Sequence, residues 1–168
     1  MAEPFVVDVT IDPTVVNEIP DQLIRVIETV TQLVWRKIDA IQGAAEISLF
    51  VTSDKQVRQL NNTYRNKDRP TNVLSFSAKE NDLTLPQDAP LLLGDVVLGY
   101  ETIAKEAKRH GKTLADHMCH LTVHGVLHLA GFDHDTDKAA EKMRGIEIDV
   151  LAAAGISNPY TNWLDGPE

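Results

Sequence analysis

Apolar residues recur along this chain at two periods, and each change of period marks a new element. Phe5-Val6-Val7-Asp8-Val9-Thr10-Ile11 is rich in β-branched residues and alternates with polar positions, which predicts a first strand. From Asp21 to about Ala40 the period lengthens: Leu23, Ile24, Ile27, Val30, Leu33, Val34 and Ile38 draw the apolar stripe of a long helix. Glu46 to Thr52 returns to a strand pattern. Ser53-Asp54-Lys55-Gln56 is a capping-box sequence, and the helix it starts is expected to turn Val57, Leu60 and Tyr64 inward.

A polar loop from Arg65 to Asn72 leads into a third strand, Val73 to Ser77, whose entry is fixed by Pro70. Residues 79–90, rich in Asp, Asn and Pro, read as a loop. Leu91 to Gly99 reads as a buried strand with Asp95 inside it, and a carboxylate so placed needs a backbone cap or a site cation. Three helices follow: about Glu101 to His110, Thr113 to Ala130, and one capped by Asp135 or Thr136 that runs through Met143, Ile146, Val150 and Leu151 to Gly155. The tail from Ser157 is expected to be loose, with Trp163 as its anchor. Strands followed by helices predict an α+β fold, a small mixed β-sheet of about four strands with helices packed on it. With 168 residues and neither repeat nor linker, residues 1–168 are expected to form a single domain.

Composition narrows the classes. A single cysteine, Cys119, rules out an intrachain disulfide, and its apolar setting reads as packing. No apolar run approaches the roughly 18 residues of a membrane span, and Met1-Ala2-Glu3-Pro4 lacks the basic start of a signal peptide, so a soluble cytoplasmic protein is expected. The net charge of -9 confines any nucleic-acid surface to a local patch. Two basic clusters qualify: Lys55, Arg58, Arg65, Lys67 and Arg69, and separately Lys105, Lys108, Arg109 and Lys112. By themselves these read equally as solvated faces.

The chemistry gathers in His124-Gly125-Val126-Leu127-His128-Leu129-Ala130-Gly131-Phe132-Asp133-His134. His124 and His128 are one helical turn apart on one face, and Gly131 permits the sharp turn that brings His134 round to them. A lone helical histidine is more often packing or surface than ligand. Three at this spacing reverse that reading. Three neutral nitrogens suit one Zn²⁺ ion and leave its fourth position open, as catalytic sites require. His120, four residues before His124, offers a competing pair, but only His124 and His128 have the glycine and a third histidine in train. Asp133, Asp135 and Asp137 are candidates to orient a ligand's other ring nitrogen. The spacing HxxxHxxGxxH is that of metzincin zinc peptidases, which carry a general-base Glu after the first histidine. Here that residue is Gly125, which weakens a peptidase reading.

HGVLHLAGFDH resembles the signature of the YbeY family, as do Leu60-Asn61-Asn62-Thr63-Tyr64-Arg65 through Pro70-Thr71-Asn72-Val73-Leu74-Ser75-Phe76, and Leu93-Gly94-Asp95-Val96-Val97. The resemblance implies a zinc-dependent, single-strand-specific endoribonuclease of small-subunit ribosomal RNA 3′-end maturation and ribosome quality control. It implies His124, His128 and His134 as ligands of one zinc ion and Arg65 as the arginine important for activity. Small-subunit ribosomal proteins or assembly GTPases are the expected partners. Arg65 can grip two phosphate oxygens in a fork, with Lys67 and Arg69 guiding the RNA backbone. A different class, a non-catalytic zinc-containing ribosome assembly factor, would use the same residues. One departure is Ser77, where many members carry proline, so the following loop is expected to take its own course.

Overall fold

In the computed structural model, which describes residues 5–38, 43–78 and 89–161, the strand patterns become β1 (Phe5–Ile11), β2 (Ala45–Thr52), β3 (Val73–Ser77) and β4 (Leu91–Gly99). They pair in the order β1-β2-β4-β3, with β1, β2 and β4 parallel and β3 antiparallel on the edge. The helices are α1 (Asp21–Ile38), α2 (Asp54–Arg65), α3 (Tyr100–Arg109), α4 (Leu114–Leu129) and α5 (Asp137–Ala153). The fold is therefore α+β with a mixed four-stranded sheet. The predicted caps form: Ser53 accepts from Gln56 N at 3.3 Å, Thr113 from Asp116 N at 3.0 Å and Thr136 from Ala139 N at 3.1 Å.

One sheet face and helices α1, α4 and α5, with Ile103 of α3, enclose the main core. Ile47, Leu49 and Val51 of β2 and Leu93, Val96 and Leu98 of β4 pack with Ile27 and Val30 of α1 and Leu151 of α5. Between them lies α4, apolar almost all round and buried at every position from His117 to Leu127. Such a helix has no solvent face, so any polar group on it must find a partner inside. On the opposite sheet face α2 covers a smaller cluster of Val57, Leu74 and Val97.

Three expectations need correction. Asp95 is exposed, not enclosed. A bulge between β2 and β4 leaves Leu93 as the extra residue, with Leu92 opposite Glu46 and Gly94 opposite Ile47, so the alternation slips and Asp95 turns to the outer face between Leu93 and Val96, which both point in. Gly94 has φ +134°, and a Cβ there would lie 2.1 Å from the Phe76 carbonyl oxygen, so only glycine fits the bulge. Tyr64 is 66 % exposed, with its ring edge-on to Phe76 at 5.4 Å. The segment from Ser157 is ordered through Thr161: Pro159 is buried, its carbonyl accepts from Lys112 Nζ, and the Tyr160 hydroxyl donates to Glu147. Trp163 and residues 79–88 of the expected loop lie outside the described residues.

Candidate metal centre

The centre is built at the C-terminal end of α4. Thr113 sets the start of the helix, and its end is closed by Gly131 N on the His128 carbonyl (3.1 Å) and Phe132 N on the Leu127 carbonyl (3.0 Å). Gly131, at φ +99°, then turns the chain back on itself. That turn carries His134 to the other two histidines: ring centroids lie 4.6 Å apart for His124–His128, 5.6 Å for His124–His134 and 5.2 Å for His128–His134. One ring nitrogen from each lies within 4.8 Å of the others. The Nε2 atoms of His124 and His128 face each other at 3.1 Å. Two nitrogens on one tetrahedral ion with bonds of about 2.0 to 2.1 Å stand about 3.3 Å apart, so the pair fits a shared ion. Burial, reinforced by the neighbouring His124 and His134, lowers His128 from 6.5 to about 4. It is neutral at physiological pH, as a ligand must be.

His120, the competing partner for His124, is turned elsewhere: its Nε2 meets Glu147 Oε2 at 3.2 Å. Glu147 is the residue that the sequence reading missed. Its Oε1 lies 2.7 Å from His124 Nδ1, and its Oε2 also accepts from the Tyr160 hydroxyl. Burial alone would raise this carboxyl, but the contacts with His120 and His124 overcome it and hold the group at about 2. A signal was present: Glu147 interrupts the apolar stripe of α5 between Met143 and Val150–Leu151, where a carboxylate needs a buried partner. The acidic residues favoured for this task do not perform it in the described contacts. Asp133, Asp135 and Asp137 are exposed, and Asp133 accepts from Asp135 N at 3.3 Å.

A cavity of about 200 Å³ opens beside the cluster, lined among others by His124, His134, Asp137, Arg144, Glu147 and Tyr160. A larger groove of about 620 Å³ lies on the outer sheet face over Ser48, Asp95 and Phe76, with none of the three histidines in its wall. Gly125 faces away from the histidines. A Cβ there would stand 2.7 Å from Val96 Cγ1 and 3.1 Å from Ser75 Oγ, so α4 rests on the sheet at the position where a peptidase carries its base.

Arg65 stands at the end of α2 beside the β3 edge. Its guanidinium donates to the Ser75 carbonyl at 2.7 Å and lies 5.3 Å over the Phe76 ring, while Ser75 Oγ donates to the Gly125 carbonyl at 3.1 Å. A chain of two hydrogen bonds thus links Arg65 to the residue after His124. Lys67 and Arg69 are exposed on the following loop, which is held through its backbone: Lys67 N donates to the Asn61 carbonyl at 3.2 Å, and Asn61 Nδ2 to the Arg69 carbonyl at 2.8 Å. Arg58 is committed to Asp68 by two contacts, at 2.8 and 3.1 Å. Among the described residues no helix is long and apolar enough to cross a membrane.

Comparison with known proteins gives the family. The sequence model of the family Endoribonuclease YbeY matches residues 11–155. A protein of that name from Paramagnetospirillum magneticum is 52 % identical over 124 residues, 73 % of this chain and 76 % of the relative. Another from Rhodopseudomonas palustris is 45 % identical over 138 residues, 82 % of this chain and 70 % of the relative. Among solved structures, the solution structure of TM1509 from Thermotoga maritima aligns with a TM-score of 0.52 at 20 % identity. It covers 93 % of this chain and 99 % of that one, and it supports the fold alone.

Proposed function

This chain belongs to the YbeY family of endoribonucleases, hydrolases acting on RNA, and on that premise we propose that it is a zinc-dependent, single-strand-specific enzyme of small-subunit ribosomal RNA 3′-end maturation and ribosome quality control. It works as one cytoplasmic domain, with ribosomal small-subunit proteins or assembly GTPases as its partners. The observation that carries the reading is the convergence of three histidine nitrogens within 4.8 Å in a chain of this family.

His124, His128 and His134 hold one ion, and the chemistry of the set, three neutral imidazoles with no thiolate, favours zinc. When bound, the ion supplies Lewis-acid activation of the phosphoryl group and of water. Arg65 grips non-bridging oxygens of the scissile phosphate, and its contacts with Ser75 and Phe76 hold the guanidinium on the edge that borders α4. Lys67 and Arg69 guide the flanking backbone. Their side chains project from a loop pinned by Asn61 and supply local positive charge on a chain whose net charge is -9.

The test is cleavage of a precursor RNA carrying the small-subunit 3′ end, by zinc-loaded parent and by His128→Ala purified in parallel, with the products mapped. Cleavage of the single strand by the parent alone, with the same sequence left intact when annealed as a duplex, is the expected outcome. Equal cutting by both proteins overturns the metal-dependent reading. A parent that holds zinc and cuts nothing moves the non-catalytic assembly factor ahead.

A further inference from the structure

Glu147 belongs to none of the motifs that carry the family resemblance, yet it touches the putting-together of the triad at its first histidine. The carboxylate is buried, with a side-chain exposure of 1 %, and three donors converge on it. His120 Nε2 and the Tyr160 hydroxyl share Oε2, while His124 Nδ1 takes Oε1. An ionised carboxylate can only accept, so the proton of His124 must sit on Nδ1. Nε2 is then left with its lone pair aimed at His128 Nε2, 3.1 Å away.

We propose that Glu147 is the positioning residue of the metal centre, fixing the tautomer and ring orientation of His124, and that Tyr160 makes the C-terminal segment part of that centre. This rests on reading the triad as a metal site. The physical effect is twofold. The carboxylate restrains the ring of His124 through a short contact, and its negative charge makes Nε2 a stronger donor. His120 and Tyr160 in turn prevent the carboxylate from rotating away, and the Arg144 guanidinium lies 5.2 Å over the Tyr160 ring. The segment that follows α5 is thereby tied to the metal ligands, although it contributes no ligand of its own.

The experiment measures zinc affinity by chelator competition, and the visible spectrum of the cobalt-substituted protein, for the parent, Glu147→Gln, Tyr160→Phe and His128→Ala. Glu147→Gln keeps the volume but removes the charge and leaves an amide nitrogen that cannot accept. It is expected to weaken zinc binding by about 10- to 100-fold and to shift the cobalt bands. Tyr160→Phe loses one hydroxyl and is expected to weaken binding by less, about two- to fivefold, with the fold intact. A purely structural Glu147 would lower the melting temperature of the metal-free protein and leave the cobalt spectrum and zinc affinity of both variants at parent values, which overturns the proposal. A parent that binds no zinc, or a His128→Ala variant that binds it as tightly, overturns the reading beneath it instead. If Glu147→Gln fails to fold, Tyr160→Phe decides: unchanged zinc affinity and an unchanged spectrum count against the role.

Discussion

Helix α4 carries two inward-facing histidine–carboxylate contacts of the same length, 2.7 Å, and they present opposite ring atoms. Near its start, His117 gives Nε2 to Glu106 of α3, whose two oxygens also accept from Asn72 Nδ2 at 3.2 Å. Asn72 accepts in turn from Val73 N at 2.7 Å, so this contact ties α3 and α4 to the entrance of β3. Near its end, His124 gives Nδ1 to Glu147 of α5 and keeps Nε2 for the cluster with His128 and His134. The first contact joins elements, while the second aims a ligand. A buried histidine beside a carboxylate is therefore no site by itself, and which nitrogen the carboxylate takes decides what the histidine can do.

The sharpest way to break this comparison is to remove one histidine from each end. His128→Ala should abolish RNA cleavage, a loss of at least about 10³-fold, while leaving the melting temperature of the metal-free protein near that of the parent. His117→Ala should do the reverse. It leaves the Glu106 carboxylate short of a charge-assisted partner and costs roughly 2 kcal/mol of stability in denaturant titration, with zinc affinity unchanged.

Packing between the two ends gives the next effect. Gly125→Ala places a methyl 2.7 Å from Val96 Cγ1, so α4 must shift off the sheet; a loss of about 1 to 3 kcal/mol in chemical denaturation is expected. Because His124 is its neighbour, zinc affinity should fall with it.

Acid should then separate the buried histidines of α4 from the carboxylates at its two ends. His128 sits at about 4 when folded and 6.5 as its ordinary value, so the unfolded chain binds the extra proton first and stability falls as pH drops from about 6.5 toward 4. Glu106 and Glu147 are both held below 4.5, Glu147 at about 2, so their contributions are complete above 4.5 and are lost only at lower pH. Burial lowers His120 from its ordinary value as well, so melting curves of the metal-free protein should show the upper phase shrink in His128→Ala, with the His120 share and the lower phase persisting. The smallest effect expected is that of Arg65→Lys, which keeps the charge but not the fork. Cleavage should slow about tenfold with zinc affinity and folding unchanged, as read from single-turnover rates.

What was legible in the sequence follows the same division. His124, His128 and His134 could be read because one helical turn and one glycine-permitted bend act within a short stretch, where spacing is geometry. Strand and helix patterns were legible for the same local reason. Glu147 was not read because its partners lie 23 and 27 residues away, and only the packing of α5 on α4 joins them. Asp95 was misplaced because a bulge depends on the neighbouring strand; nothing within Leu91–Gly99 except Gly94 announces the slip. Tyr64 fits a helical stripe by spacing, but the cluster that α2 covers takes in Val57 and Leu60 and does not reach Tyr64, whose ring meets only the edge of Phe76 in the described ring contacts.

The most direct test is elemental analysis of parent, His117→Ala and His128→Ala purified in parallel from the same zinc-supplemented growth. One zinc per chain in the parent and in His117→Ala, with almost none in His128→Ala, is the predicted result. Zinc retained by His128→Ala, or lost from His117→Ala while that variant remains folded, would contradict the assignment of one end of α4 to the metal and the other to the fold.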